Sequence, residues 1–270
     1  MVGLGRDPEV AGATASQTTP ATARAPAADS PTVTAGAPPC AVTFPREAAD
    51  PYCLRAGEAD RLLAGHPWHR FAVIGDSVAE GLGDRSPGYP DEPWCDRIAA
   101  ELASHQPDFA YLNLGRMNTR LADVRAKQLG KALAFRPDIA LAACGGYGLL
   151  LSRYDPDAAG EHLRAIVAAF VEQGCDVITV GMFDGSYAPG VPERFRAVLR
   201  QRLRDLSLRT EAISADLGAI FVALASHPAS RDADIYSEDH RHGTMRGHAI
   251  AAAETIRALG AHLANVRTRR

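Results

Sequence analysis

Five short apolar runs, each flanked by polar residues and separated by longer stretches of helical periodicity, point this chain toward parallel βαβ units. The runs are RFAVIG (70–75), FAYLNL (109–114), DIALAAC (138–144), DVITVGMF (176–183) and, most weakly, AIFVAL (219–224). The intervening segments WCDRIAAELASH, LADVRAKQLGKALAF, PDAAGEHLRAIVAAFVEQG and PERFRAVLRQRLRDLSLRTEAI read as helices, and MRGHAIAAAETIRALGAHLA adds a last one. The expected fold is α/β with a five-stranded parallel sheet. Right-handed crossovers then put every strand's C-terminal end on one edge, so chemistry is expected on the loops that follow strands.

Composition sets the boundaries. The first forty residues are rich in Ala, Thr and Pro and contain no Phe, Tyr, Trp or Ile, so residues 1–44 read as a solvated low-complexity tail. Residues 45–67 read as a linker or N-terminal extension, 68–265 as the folded domain and 266–270 as a basic tail. Asp7, Glu9 and the prolines interrupt any secretory apolar run, and no later stretch reaches the roughly 20 apolar residues that span a bilayer. Five cysteines without CxxC spacing argue against a disulfide scaffold or zinc ribbon. A cytoplasmic protein with reduced thiols is expected. The net charge of −3 gives no overall field for nucleic acid or an anionic membrane, and neither is expected as a partner.

Two segments carry residues suited to catalysis. Gly75-Asp76-Ser77 closes the first apolar run, which stands Ser77 at the C-terminal edge of a strand, close to free backbone N–H groups. Taken alone, Asp76 and Ser77 are better explained as a helix cap. Near the C-terminus, Ser237-Glu238-Asp239-His240-Arg241-His242-Gly243 offers a carboxylate and an imidazole in DxxH spacing, followed by Gly247-His248. A serine hydroxyl needs an imidazole to take its proton and a carboxylate to fix the imidazole tautomer. By itself that loop reads better as an ordinary polar loop before the last helix, with exposed histidines.

Together and in this order, the two segments resemble the SGNH (GDSL-type) hydrolase family over roughly residues 68–262. The Asn113-Leu114 segment after the second strand and the Gly145-Gly146 pair after the third add to the resemblance. It implies a flavodoxin-like three-layer α/β/α fold and hydrolysis of ester, thioester or acetyl groups on small molecules without a cofactor or metal. Carried over by residue, Ser77 becomes the nucleophile, His242 the general base and then acid, and Asp239 the orienting carboxylate. Asp76 and Gly146 fall in the oxyanion or substrate-binding blocks.

The chain departs from that pattern in two places. The second-block glycine falls on Asn118 in an ungapped register, or on Gly115 in a shifted one. Where the family has Gly-Gly-Asn-Asp, this chain has Gly145-Gly146-Tyr147-Gly148, so the asparagine donor is replaced by Tyr147. Loss of one oxyanion donor typically costs about 2.7–4 kcal/mol of transition-state stabilisation. Either Tyr147 serves a different substrate geometry or hydrolysis is impaired, and the plainer reading of Tyr147 is a wall of the pocket.

Other readings remain open at the level of sequence. His240, His242 and His248 with Asp239 offer enough ligands for zinc, although the triad already uses some of them. Cys144 reads as packing, and Phe183-Asp184-Gly185-Ser186 as pocket rim. The segment Arg194–Arg204 places Phe195, Val198, Leu199, Leu203 and Leu206 at helical spacing opposite a basic face. That face is either solvated or a docking site for an acidic carrier protein such as an acyl carrier protein. The expected function is a serine hydrolase or acyltransferase working through an acyl-enzyme. The alternatives are a degenerate member that binds without turnover, or a biosynthetic enzyme catalysing elimination or cyclisation.

Overall fold

A computed structural model describes residues 44–151 and 153–269, and the tail expected over 1–44 lies outside the described residues except for Phe44. Five strands, β1 (Arg70–Gly75), β3 (Ala110–Asn113), β4 (Ile139–Ala143), β5 (Asp176–Gly181) and β6 (Ile220–Ala223), form a parallel sheet in the order β3-β1-β4-β5-β6. Two two-residue strands, β2 (Gly83–Asp84) and β7 (Gly243–Thr244), pair in parallel away from it. The helices are α1 (Pro45–Ala49), α2 (Glu58–Leu63), α3 (Ser77–Glu80), α4 (Trp94–Ala103), α5 (Leu121–Asp123), α6 (Leu129–Ala134), α7 (Gly146–Leu149), α8 (Pro156–Val171), α9 (Glu193–Leu217) and α10 (Met245–Arg269). A π-helical turn, Val124–Gln128, links α5 to α6.

The strands' period of two divides the core into layers. Phe71 and Val73 of β1, Ile139 and Leu141 of β4 and Ile178 of β5 pack against Leu63, Ile98, Leu102, Ile256 and Leu259 of α2, α4 and α10. The alternate residues Ala72, Ile74, Ala140, Ala142 and Val177 face Leu163, Ile166, Val167 and Phe170 of α8 together with Ile213 of α9. Each fully buried Leu, Ile or Phe contributes about 1.5–3 kcal/mol relative to exposure, so the two apolar layers supply the main driving force. The result is the expected five-stranded α/β/α arrangement. Its strand order reverses between β1 and β4, and the loops after these two strands bear Ser77 and Gly145-Gly146-Tyr147.

Residues 45–67 form helices docked on the domain. Asp50, next to α1, is buried and accepts hydrogen bonds from Tyr89 Oη (2.7 Å) and from Arg246 Nε of α10 (2.7 Å). The last helix continues to Arg269 and takes in residues expected as a basic tail. The apolar stripe expected on α9 is buried only in part. Leu203 and Leu206 are covered, whereas Phe195 and Val198 are exposed, and the buried residues of α9 begin only at Leu203.

Candidate active site

The turn after β1 is constrained on every side. Gly75 has φ +151°, and a Cβ there would lie 1.8 Å from the Ala143 carbonyl oxygen, so only glycine lets β1 and β4 stay paired to their ends. Asp76 caps α3, accepting the Val78 amide at 3.1 Å, and Ser77 is the first helical residue. The Asp76 carboxylate is fully buried and also accepts the amides of Gly145 and Tyr147, each at 3.1 Å. Burial pushes its pKa up, while the amides of Val78, Tyr147, Gly145 and Gly146 oppose that shift. Asp76 therefore ties the loop after β4 to the loop after β1, and the expectation that it contacts the substrate is corrected: it is enclosed by protein.

The second-block residues separate clearly. Gly115, one of the two expected oxyanion donors, gives its N–H to Asn113 Oδ1 at 2.8 Å, and a Cβ at this position would lie 2.3 Å from the Glu80 amide nitrogen. Gly115 thus permits close packing. Asn118, the position the ungapped register points to, has φ +58° and lines the same cavity as Ser77. Neither the Ser77 nor the Asn118 amide has an acceptor among the described residues. Tyr147 and Gly146 also line that cavity, and the Tyr147 hydroxyl makes no hydrogen bond among the described residues.

The C-terminal loop carries Asp239 and His242. Asp239 accepts the amides of Arg241 (2.9 Å) and His242 (3.1 Å) through Oδ1 and meets His242 Nδ1 through Oδ2 at 2.5 Å. Burial opposes ionisation of Asp239, but the two amides and the imidazole outweigh it and hold the carboxyl below its usual range. With Nδ1–H directed at Asp239, the neutral imidazole of His242 keeps Nε2 as an acceptor. Ser77 and His242 line one cavity, although no direct hydrogen bond joins them among the described residues; such contacts commonly tighten only once substrate is bound.

The histidine cluster is divided among different roles. His248 is buried, accepts the Trp94 amide on Nδ1 (3.2 Å) and donates from Nε2 to the Leu82 carbonyl (3.2 Å). Burial drives its pKa down to about 4, so it is neutral and fully engaged at neutral pH. No grouping of three or more metal-ligating side chains occurs among the described residues. Cys144 follows β4 directly, and burial raises its thiol pKa. On α9, Arg200 pairs with Asp184 and Ser186, Arg196 with Glu193, and Arg202 with the Leu149 and Leu151 carbonyls, so part of the basic face is engaged within the molecule.

Sequence reasoning passed over what joins the two candidate segments. The Ser237 hydroxyl accepts the Asp84 amide (3.0 Å) and donates to the Gly243 carbonyl (2.7 Å), while Asp84 Oδ2 accepts the Glu238 amide (2.8 Å). The β2–β7 ladder and these three bonds fasten the loop after α3 to the histidine loop. Strands of two residues have no periodicity to detect. The cavity, about 210 Å³, was equally hidden: Val180, Met182, Leu224, Ile235 and Ala251 come from four separate segments and make its wall predominantly apolar. Phe183 and Gly185 lie on it, as expected for the rim.

A family model described as GDSL-like Lipase/Acylhydrolase matches residues 73–250. No curated protein matches the sequence. Among solved structures, a lipase/acylhydrolase from Enterococcus faecalis superposes with TM-score 0.56 at 18% identity, covering 72% of this chain and 96% of that one. LAE5, described as an alpha/beta hydrolase enzyme from the metagenome of Lake Arreo, Spain, gives TM-score 0.57 at 16% identity, over 71% and 95%. A catalytic mutant of Axe2, an acetylxylan esterase from Geobacillus stearothermophilus, gives TM-score 0.56 at 16% identity, over 71% and 94%. At these identities the likeness establishes the fold.

Proposed function

The chain belongs to the GDSL-like lipase/acylhydrolase family, and from that membership we propose that it is a serine hydrolase whose substrate is a small ester or thioester with an apolar portion. The observation that carries this reading is one cavity lined by Ser77, by His242 with its Asp239 contact at 2.5 Å, and by an apolar interior of Val180, Leu224 and Ala251. Ser77 Oγ attacks the carbonyl carbon as His242 Nε2 takes its proton. The amides of Ser77 and Asn118 receive the oxyanion. Collapse expels the alcohol or thiol with the proton returned by His242, and a water activated by the same imidazole releases the acid. General base catalysis of this kind contributes about 10²–10⁴-fold.

The apolar wall favours an acyl chain over a bare acetyl group, since each buried CH₂ contributes about 0.8 kcal/mol. One observation favours binding without turnover: Tyr147 stands where the family has its asparagine donor, and the neighbouring amides of Gly145 and Tyr147 are held by Asp76. A fluorophosphonate probe with mass mapping, followed by a chain-length series of p-nitrophenyl esters, separates the readings. Labelling of Ser77 and Ser77-dependent turnover that rises from acetyl to longer acyl groups support the proposal. A folded protein with an unlabelled Ser77 and no turnover refutes it.

A further inference from the structure

Both backbone polar groups of a strand residue point to the same side, and for Gly75 that is the side toward β3. However, the β1–β3 pairing ends at Val73 with Asn113, so the last residue before Asp76-Ser77 has no strand beside it. The side chain of Gln128 fills that place. Its Oε1 accepts the Gly75 amide at 2.8 Å, and its Nε2 donates to the Gly75 carbonyl at 2.9 Å. That carbonyl also accepts the Arg116 amide, at 3.2 Å, from the loop beyond β3. Gln128 is buried and closes the π-helical turn Val124–Gln128. A buried polar side chain is costly unless paired, and here both ends of its amide are matched to the two groups β3 leaves unpaired. A π-turn carries one extra residue, an arrangement that recurs at functional sites.

We propose that Gln128 is a positioning residue: acting as a one-residue strand, it fixes Gly75 and thereby the location of Ser77 against His242 and the Asn118 amide. It touches no reacting atom in this scheme. The inference rests on the serine-hydrolase reading above, because only a reacting serine makes the position of this turn matter. A displacement of about 1 Å at a reacting group costs on the order of a hundredfold in rate, whereas binding in the apolar cavity is little affected.

The test uses the full chain. Gln128→Leu is expected to lower kcat on p-nitrophenyl esters, and the rate of Ser77 fluorophosphonylation, by about ten- to a hundredfold, with KM within about threefold of wild type. Gln128→Glu gives a signature that simple loss of stability does not. A protonated glutamic acid both donates and accepts, so it reproduces the clamp at low pH. Once ionised it loses the donor and faces the Gly75 carbonyl, so kcat relative to wild type falls as pH rises. Lys131→Ala, one turn further along α6, serves as the unchanged control. If Gln128→Leu does not fold, the pH profile of Gln128→Glu decides. A wild-type serine that reacts while Gln128→Leu, or Gln128→Glu at every pH, reacts equally fast overturns the positioning role alone. A wild-type serine that never reacts overturns the hydrolase reading and this inference with it.

Discussion

Asp239 holds His242 twice, by Oδ2 on the imidazole Nδ1 at 2.5 Å and by Oδ1 on the His242 backbone amide at 3.1 Å. One carboxylate thereby sets both the tautomer of the ring and the course of the chain that carries it. Asp239→Asn keeps the size but lets an NH₂ face Nδ1, favouring the tautomer that protonates Nε2. The expected result is a fall in kcat of about 10²–10⁴-fold with KM little changed. Steady-state kinetics on the preferred ester checks it, and a loss confined to KM would remove Asp239 from the catalytic role.

Tyr147 lines the cavity beside Ser77 with its hydroxyl unengaged among the described residues. Tyr147→Phe is expected to lower kcat by up to about a hundredfold if the phenol donates to the transition state as oxyanion donors do, while affinity changes less. Unimpaired turnover in the Phe variant would reduce Tyr147 to a wall. Tyr147→Asn, measured against Ser77→Ala as background, asks whether the family's donor can be restored.

His248 gives stability a pH dependence of definite sign. Its folded pKa of about 4 lies below the unfolded value near 6.5, so the unfolded chain binds the extra proton between them. This contribution is fully present above about pH 6.5 and is lost as pH falls toward 4, amounting to about 3 kcal/mol. His66 and His227, whose pKa values burial also lowers, act in the same direction. Urea unfolding between about pH 7.5 and 4.5 should show declining stability, and His248→Gln should flatten the slope without abolishing it.

Arg246 binds three carboxylates, Asp50 (2.7 Å), Asp232 (2.9 Å) and Asp234 (2.6 Å). Arg246→Met leaves the buried Asp50 without its cation and is expected to destabilise the fold by about 3–5 kcal/mol. Asp50→Asn, which removes the charge along with its partner's need, should cost less. Burial works against ionisation of Asp50, but Arg246, Tyr89 and the Tyr52 amide hold its pKa below normal. Its contribution is therefore present above the unfolded carboxylate pKa and disappears as pH falls through the lower folded value. Equal losses for the two variants would show that the charge is not what Asp50 requires.

The sheet was legible because each strand writes its own pattern. RFAVIG and DIALAAC alternate or run apolar over their whole length, and their ends agree with β1 and β4 to within a residue. Ser77, Asp239 and His242 stood out as candidates because the chemistry they could carry is written in local spacing, and Ser77 and His242 line one cavity. Gly115 misled because sequence does not show which acceptor an amide meets, and here Asn113 Oδ1 takes it. Phe195 and Val198 misled because helical periodicity reports a face and not what covers it. The grip of Asp50 on Arg246 joins residues nearly the whole domain apart and leaves no trace in either neighbourhood.

The two-residue ladder between β2 and β7, with its Ser237–Asp84 bond spanning 153 positions, leads us to expect that the proposed catalytic loops come together late in folding. Contacts of such separation form only after the intervening chain has been ordered, and few bonds then resist their reopening. The sheet and its helices can remain intact while this latch opens. On gentle heating or in mild denaturant, turnover should therefore vanish before circular dichroism changes, with amides near Asp84 and Glu238 exchanging ahead of those in β1 and β4. The working range of the proposed site would then be set by the endurance of this short fastening, well inside the limits of the core.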